Sequence, residues 1–363
     1  MPKAGLYLAK VMFNHPPGSH WCGFPFRHNG GLFWPLSGVG WYWSPEIETA
    51  RSCLGAEISV LDLWVARRTC NCRFYDWVTE VYDERRRLGT STRGYPLKVG
   101  LASLYGKKAQ RTGRGPYHDA LEAGLITAMT RAKLIEAVGH DPEAVVMLAT
   151  DAVFSTRPLP LDIGPGLGQW EQKIWPDLFI AQPGVYWSPT EVEATAERSP
   201  AGSLKSRGAP RSVIGPAVPA FHQTFGKWIE ALRQPGAIDR MLSNRKELIP
   251  TVEVKIRVFY GCRLALAMGK PFLAGSWKWE TQKIGFDWRS KRDAMHMQLA
   301  DDCLSFTTRP ILLSSPHAES EGYKPVDFDR VVTIAADGGG VQQINESVLL
   351  EAQSDFMPWL PRE

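Results

Sequence analysis

A single carboxylate, Asp151, interrupts the apolar stretch VVMLATDAVFST at residues 145–156. The residues on both sides are of the strand type, which predicts a β-hairpin with Asp151 at its tip. Two kinds of chemistry suit that position. An aspartate in a tight turn hydrogen-bonds its own backbone, and a carboxylate on a rigid sheet can bind Mg²⁺ together with substrate phosphates. Without its neighbours Asp151 is best explained as a turn residue, so the surrounding segments decide between the two.

The segment KVGLASLYGKK, residues 98–108, places a cation and an aromatic ring on one face of a predicted helix. Lys98 and Tyr105 are seven residues apart, which is two helical turns. A lysine suits the charge of a triphosphate, and a flat ring followed by glycine suits a stacked nucleotide base. An ordinary amphipathic helix, with its lysine stem lying on apolar surface, would show the same pattern.

The elements that must position these residues alternate between strands and helices. Alternating apolar and polar residues predict strands over most of the first seventy residues, interrupted by a short helix over SPEIETARSCLG that Ser44 caps. Helical spacing predicts a helix from Asp76 to Leu88 and a second one over residues 94–110 that ends near Gly106. A longer helix begins at Asp119 as its N-cap.

The second half of the sequence predicts a boundary followed by further mixed elements. Residues 188–216 are polar and rich in Ser, Pro and Gly, which is typical of a loop between domains. The segment TVEVKIRVFY at 251–260 predicts a strand, and GSWKWETQKIGFDW at 275–288 predicts a pair of strands. Mixed elements with hairpins predict an α+β fold class.

The composition and the lengths of the apolar runs argue against a membrane-spanning protein. Of the 363 residues, 44% are hydrophobic and 22% are charged, and no apolar run reaches the length of a membrane span. The net charge of +4 is modest, but the basic residues are clustered, at 84–94, 105–115, 204–212 and 289–294. Such clusters permit a nucleic-acid partner without demonstrating one.

Four segments in chain order resemble the motifs of family B DNA polymerases, and they are most similar to the protein-primed phage type. The hairpin resembles the family's D-T-D motif, and LGQWEQ at 167–172 resembles its L-G-x-W motif. The fingers motif K-x-x-x-N-S-L-Y-G-K is matched at Lys98, Ser103, Leu104, Tyr105, Gly106 and Lys107. The helix motif G-x-x-I-T-A-x-x-R is matched at Gly124, Ile126, Thr127, Ala128 and Arg131. QPGVYW at 182–187 and the segment that begins FYGCRLALAMGKPF resemble the later palm and thumb.

The resemblance implies a fold and a reaction. The fold would be α+β, with an antiparallel palm sheet backed by helices, a short helical fingers insertion and a mixed thumb. The palm would occupy residues 1–75 and 111–197, the fingers 76–110, and the thumb and C-terminal region 198–363. The reaction would be template-directed transfer of a nucleotide from a dNTP to a primer 3′-hydroxyl. Two Mg²⁺ (or Mn²⁺) ions, held by two palm aspartates, would activate the hydroxyl and neutralise the leaving pyrophosphate.

The resemblance also implies roles for individual residues. Asp151 would be the catalytic metal ligand. The nucleotide would be bound by Lys98, Tyr105, Arg85 and Ser103. The primer–template DNA would be bound by Lys107, Lys108, Arg131, Lys291 and Arg292.

The sequence departs from the family pattern at three places. Ala149 stands where the first aspartate of D-T-D is expected, and Ala102 stands where the fingers motif has asparagine. The motif D-x-x-S-L-Y-P, which carries the other palm aspartate, does not occur, and neither does an exonuclease domain. We therefore expect the chain to start inside the palm and to need an N-terminal polymerase/exonuclease polypeptide as a partner.

Two functions remain open on these grounds. The retained Asp151, Lys98 and Tyr105 favour a polymerase subunit, whereas Ala149 and Ala102 favour a catalytically inactive relative that binds primer–template DNA or scaffolds a replisome. For either function we expect a virus- or phage-encoded protein in the host cytoplasm, without a membrane partner.

Overall fold

The structure is a computed structural model that describes residues 6–28, 31–65, 75–89, 91–110, 118–195, 204–207, 209–243, 249–285, 292–300 and 303–310. These residues form two compact units. The first contains the described residues up to Gln172 together with Arg309 and Pro310, and the second contains the described residues from Lys173 to Thr308. Lys291 and residues 311–363 lie outside the described residues.

The first unit is built on a three-stranded antiparallel sheet and four helices. Its strands are β1 (Tyr7–Asn14), β2 (Phe26–His28), β3 (Gly31–Phe33), β4 (Ser37–Trp43), β5 (Glu57–Val65), β6 (Val145–Ala149) and β7 (Ala152–Ser155). Its helices are α1 (Ser44–Leu54), α2 (Asp76–Leu88), α3 (Gly94–Ala109) and α4 (Ala120–His140). Strand β1 lies between β4 and β5, while β2 pairs with β3 and β6 with β7.

The period of two along β1 places one set of its side chains in the core. Tyr7, Ala9, Val11 and Phe13 are buried and pack with Ile47 and other residues of a single cluster. Leu8, on the other face, is buried against Trp43 and Ala128 instead.

Helix α1 starts one residue earlier than the cap prediction requires. Ser44 is already helical and Trp43 is the N-cap, so the prediction of Ser44 as the cap was wrong. The Trp43 N–H donates to Glu46 Oε2 at 3.4 Å, while Ser44 Oγ accepts from the Tyr7 N–H at 3.3 Å. The helix ends at Gly55, whose φ of 65° is left-handed.

Helix α4 is the central support of the first unit, because it packs against α1, α3, β4 and β7. Its predicted N-cap is confirmed, since Asp119 Oδ1 accepts from the Glu122 N–H at 3.0 Å. Near its other end Gly139 lets α1 approach closely. A Cβ at Gly139 would lie 2.7 Å from the Cβ of Cys53.

The second part of the chain combines small antiparallel sheets with helices. Its strands are β8 (Phe179–Gln182), β9 (Val185–Trp187), β10 (Lys205–Ser206), β11 (Thr251–Phe259), β12 (Trp277–Gly285), β13 (Arg292–Ala300) and β14 (Cys303–Pro310). Its helices are α5 (Pro189–Thr195), α6 (Arg211–Leu232), α7 (Ala237–Ser243) and α8 (Cys262–Ala267), with a 3-10 helix at Pro271–Leu273. Strand β9 lies between β8 and β10, β11 pairs with β12, and β13 pairs with β14.

The segment GSWKWETQKIGFDW does not contain the predicted pair of strands. Residues Trp277–Gly285 form one strand that pairs with β11 along its full length. No Gly, Pro, Asn or Asp stands between Trp277 and Ile284, so nothing in that stretch favours a turn. The core of this unit lies between β11, α6 and the β8–β9 hairpin.

The described fold is mixed α and β with antiparallel sheets, which agrees with the predicted α+β class. The main division of the chain falls after Gln172, and the predicted bounds of palm, fingers and thumb stay a prediction. Within the described residues, no helix is both long and apolar enough to cross a membrane.

Candidate functional site

Helices α2 and α3 form a pair over the residues expected to be fingers. Their connection is short, so the two helices run antiparallel. Gly94 allows the tight approach at this end, because a Cβ there would lie 2.3 Å from the carbonyl oxygen of Gly89. Leu97, Leu101 and Leu104 are half-buried, and α3 packs against α2 and α4. The helix continues past the predicted end at Gly106 and reaches Ala109.

One face of α3 is left exposed, and it carries a cation between two aromatic rings. Tyr95, Lys98, Ala102 and Tyr105 share this face, which we call the α3 stripe. Tyr95 is 65% exposed and Tyr105 is 42% exposed. The Lys98 ammonium and both tyrosine hydroxyls make no hydrogen bond or ion pair with any described residue. The α3 stripe therefore offers charge, stacking surface and hydroxyl groups to a ligand.

Two further residues predicted to bind nucleotide lie off the α3 stripe. Ser103 lies about 140° around the helix axis from Lys98, and its Oγ donates to the Gly100 carbonyl at 2.9 Å. Arg85 lies on α2, where its guanidinium carbon is 5.9 Å from the ring centroid of Tyr82. The contacts of both residues are local to their own helices.

The predicted DNA-binding residues at the end of α3 differ in exposure. Lys107 is exposed, and its Nζ donates to Gln110 Oε1 at 3.2 Å. Lys108 is half-buried and pairs with Glu122 of α4, and its Nζ lies 5.8 Å from the ring centroid of Tyr75. Lys108 thus ties α3 to the start of α4.

Arg131 neutralises a buried carboxylate. Its Nε lies 2.6 Å from Oε1 of Glu46, whose side chain is only 1% exposed. Glu46 also accepts the N–H of Trp43 at the start of α1. The pair joins α4 to α1 across 85 residues of sequence, and no spacing pattern links the two positions, so sequence reasoning missed Glu46.

Asp151 is the second residue of the two-residue turn between β6 and β7, and the facing pair Ala149 and Ala152 closes this turn. Its side chain is exposed and makes no hydrogen bond or ion pair with any described residue. The predicted hairpin is confirmed, whereas the carboxylate does not take up the backbone bond typical of turn aspartates. Strand β7 packs against α4, which also supports α3. The elements that carry Asp151 and Lys98 therefore share one supporting helix.

The described residues do not complete a two-metal centre. They contain no group of three or more His, Cys, Asp or Glu side chains that could hold a metal ion. Asp151 offers one oxygen-donor side chain, which suits Mg²⁺ only together with other ligands. The next aspartate along the chain is Asp162. Its Oδ1 accepts a hydrogen bond from Gln169 Nε2 at 3.1 Å, within the loop that follows the hairpin.

The loop that carries the LGQW segment is held to α4 by Lys133. The Lys133 ammonium donates to the carbonyl of Gly168 and lies 5.4 Å from the ring centroid of Trp170. Sequence reasoning missed this clamp, because Lys133 and Trp170 are far apart along the chain.

The last predicted DNA-binding residues lie in the second half of the chain. Arg292 joins β13 to β14, since its Nε donates to Thr308 Oγ1 at 2.6 Å and its Nη2 donates to the Thr308 carbonyl at 3.1 Å. Lys291 lies outside the described residues, so its predicted role is not addressed by the structure.

Part of the chain is similar to a known polymerase. It is 31% identical over 184 residues to the primer-independent DNA polymerase PolB of Escherichia coli. The match covers 42% of this chain and 21% of that polymerase, so the chain spans about a fifth of its relative's length. No protein-family model matches the chain, and no solved structure matches it. The chain is therefore related to a DNA polymerase over part of its length.

Proposed function

We propose that this chain is part, or a subunit, of a template-directed DNA polymerase of family B, of the protein-primed phage-like type. It would transfer a nucleotide from a dNTP to a primer 3′-hydroxyl. The partial relation to a DNA polymerase supports the general class. The α3 stripe carries the finer proposal, because Lys98 and Tyr105 are exposed and make no bond within the described residues.

The proposed roles follow from the charge and shape of these side chains. Lys98 holds the triphosphate as a point charge, and Tyr105 packs against the base or sugar of the incoming nucleotide. Arg85 adds positive charge from the neighbouring helix. In phosphoryl transfer most of the rate enhancement comes from positioning and from charge stabilisation, so no covalent nucleophile is needed from this chain.

The proposal includes a partner chain that supplies the second palm aspartate. The motif D-x-x-S-L-Y-P is absent from these residues, and within the described part of the chain Asp151 belongs to no group of three or more side chains that could hold a metal ion. Bound Mg²⁺ or Mn²⁺ would lower the charge on the phosphates and acidify the primer hydroxyl. Asp151 would give one ligand, and the partner would give the other.

Mg²⁺-dependent primer extension tests this proposal. The purified chain is assayed alone and with a polypeptide that carries D-x-x-S-L-Y-P. We expect extension only with the partner, and Asp151→Asn and Lys98→Ala each lower its rate by at least tenfold. Lys227→Ala, which removes an exposed helical lysine of the second unit, is the matched control and leaves the rate unchanged.

Ala149 and Ala102 favour the second candidate, a catalytically inactive relative that binds primer–template DNA. The same samples distinguish it from the first. Primer–template binding without extension in any combination, with Lys107→Ala weakening the binding, would contradict the catalytic proposal and support the inactive relative.

A further inference from the structure

The β11–β12 hairpin of the second unit has one face in the core and one face in solvent. Val252, Val254 and Ile256 alternate along β11 and pack into the core with α6. The intervening residues of β11 are exposed, and the cross-strand register pairs each of them with a residue of β12. Because side chains alternate across a strand, these pairs share the outer face.

Aromatic rings dominate this outer face towards the tip of the hairpin. Phe259 stands opposite Trp277, with their ring centroids 3.5 Å apart. Arg257 stands opposite Trp279, which is 70% exposed. Together with Lys255, these four residues form what we call the hairpin platform. Large exposed aromatic patches of this kind mark binding surfaces in soluble proteins.

The charge around the hairpin platform is positive. The outer face of the two strands carries Lys255, Arg257 and Lys283 but a single carboxylate, Glu253, which lies 3.4 Å from the Lys283 ammonium. The Arg257 guanidinium carbon lies 4.7 Å from the ring centroid of Trp277 and forms no ion pair with a described residue. The Lys278 ammonium lies 5.1 Å from the ring of Tyr260 and 3.8 Å from Glu280. This combination of cations and rings is complementary to a polyanion that also has flat apolar groups.

The spacing of the rings favours bases that are spread apart. Trp277 and Trp279 are two residues apart on one strand, so their Cα atoms are roughly 6.7 Å apart. That distance is about twice the rise per base of one strand in B-form DNA. A duplex keeps its bases stacked on one another, whereas a single strand can place successive bases on separate rings.

We infer that the hairpin platform binds single-stranded DNA, with bases stacked on Trp279 and on the Trp277–Phe259 pair and with phosphates bound by Arg257 and Lys255. The choice of DNA over RNA rests on the proposed function, whereas the stacking and the charge do not. The hairpin platform would give the unpaired part of a template a binding site in the second unit, separate from the α3 stripe in the first.

Fluorescence anisotropy with fluorescein-labelled (dT)12 tests the inference, because oligo-dT forms no duplex. We expect Trp279→Ala to weaken binding by about fivefold to a hundredfold. Arg257→Ala should reduce the slope of log K against log salt by about 0.7. Trp64→Ala is the control, since Trp64 on β5 of the first unit is 48% exposed, as is Trp277 of the platform, and it should change binding less than twofold.

A second measurement locates the contact in the unmodified chain. Photocross-linking of a 5-iodouracil-substituted (dT)12 should attach the oligonucleotide at Trp277 or Trp279, as read by peptide mass spectrometry. Cross-links confined to other residues would overturn the inference. So would (dT)12 binding that Trp279→Ala leaves unchanged, no binding of (dT)12 by the folded chain, or tighter binding of a blunt duplex of equal length.

The failure of this inference differs from the failure of the proposed function. If (dT)12 binding depends on Trp279 while primer extension fails in every combination, single-strand binding by the hairpin platform is supported and the polymerase proposal is contradicted. If extension occurs while the platform variants bind (dT)12 normally, the polymerase proposal is supported and single-strand binding by the hairpin platform is contradicted.

Discussion

The Arg131–Glu46 pair gives the first test at the scale of single residues. Arg131→Ala leaves the buried Glu46 carboxylate without its cation, so we expect the free energy of unfolding to fall by about 3–5 kcal/mol. Arg131→Lys should restore part of this, because it keeps the charge and loses the guanidinium geometry. Urea denaturation measures both. If Arg131→Ala weakens DNA binding and leaves the stability unchanged, Arg131 serves DNA rather than the core.

His15 gives a pH-dependent prediction. Its ring packs beside Phe13 and Phe24, with centroids 5.9 and 5.7 Å away, and its Nε2 accepts the Gly23 N–H at 3.3 Å. Burial lowers the pKa of His15 from 6.5 to about 4. The unfolded chain therefore takes up the proton first, and stability falls as the pH drops from 6.5 towards 4. Between pH 7.5 and pH 5 we expect a loss of about 2 kcal/mol, measured by urea denaturation.

His15→Gln is the control for this effect, because an amide keeps a hydrogen-bond acceptor but does not titrate near neutral pH. Its stability should change less over the same pH range than that of the unmodified chain. An equal loss in both proteins would show that other groups cause the acid sensitivity.

The sequence predicts surface residues better than buried partners. Lys98 and Tyr105 are exposed on one face of α3, as their spacing of two helical turns indicates, because that spacing is a local property. The partner of Arg131 depends instead on α1 packing against α4, and Glu46 has no motif of its own. Asp151 lies between these cases, since the hairpin could be predicted but the environment of its carboxylate could not.

At the scale of elements, the contact of α1 with α4 depends on Gly139. A methyl group at this position would lie 2.7 Å from the Cβ of Cys53, so Gly139→Ala should lower the free energy of unfolding by about 1–3 kcal/mol. Gly100→Ala in α3 is the matched control, because a Cβ there meets nothing within 4 Å. It should stabilise the chain by about 0.5–1 kcal/mol through helix propensity. Equal effects of the two changes in urea denaturation would contradict the close packing.

Local signals predicted that the helices exist but missed some of their ends, such as the start of α1, and the pairing of strands could not be predicted from them. The range of α2 and the N-cap of α4 follow from helical spacing and from a capping aspartate. Strand β12 was predicted as part of a strand pair of its own, but it pairs with β11, more than twenty residues earlier in the chain. Which strand β12 pairs with depends on the hydrophobic core that it forms together with β11 and α6. The residues of β12 alone do not indicate that partner.

At the scale of the whole molecule, the two basic and aromatic surfaces lie in different units. The α3 stripe belongs to the first unit and the hairpin platform to the second. A net charge of +4 does not reveal either surface, because charges elsewhere on the chain balance them. Each surface can be identified only from the structure, which shows that exposed rings and cations without carboxylate partners lie on one face.

This separation predicts how Lys98→Ala and Arg257→Ala combine. The two side chains share no described partner, so their effects on the binding of a primer–template with a single-stranded overhang, measured in the presence of the complementary dNTP, should add to within about 0.5 kcal/mol. Binding of (dT)12 alone should respond to Arg257→Ala more than to Lys98→Ala, because the platform alone is expected to hold the single strand. Anisotropy titrations of both single variants and the double variant measure this. If the double variant has the same dissociation constant as the single variant that binds less tightly, the two residues contact the same phosphates. The two surfaces would then be one site.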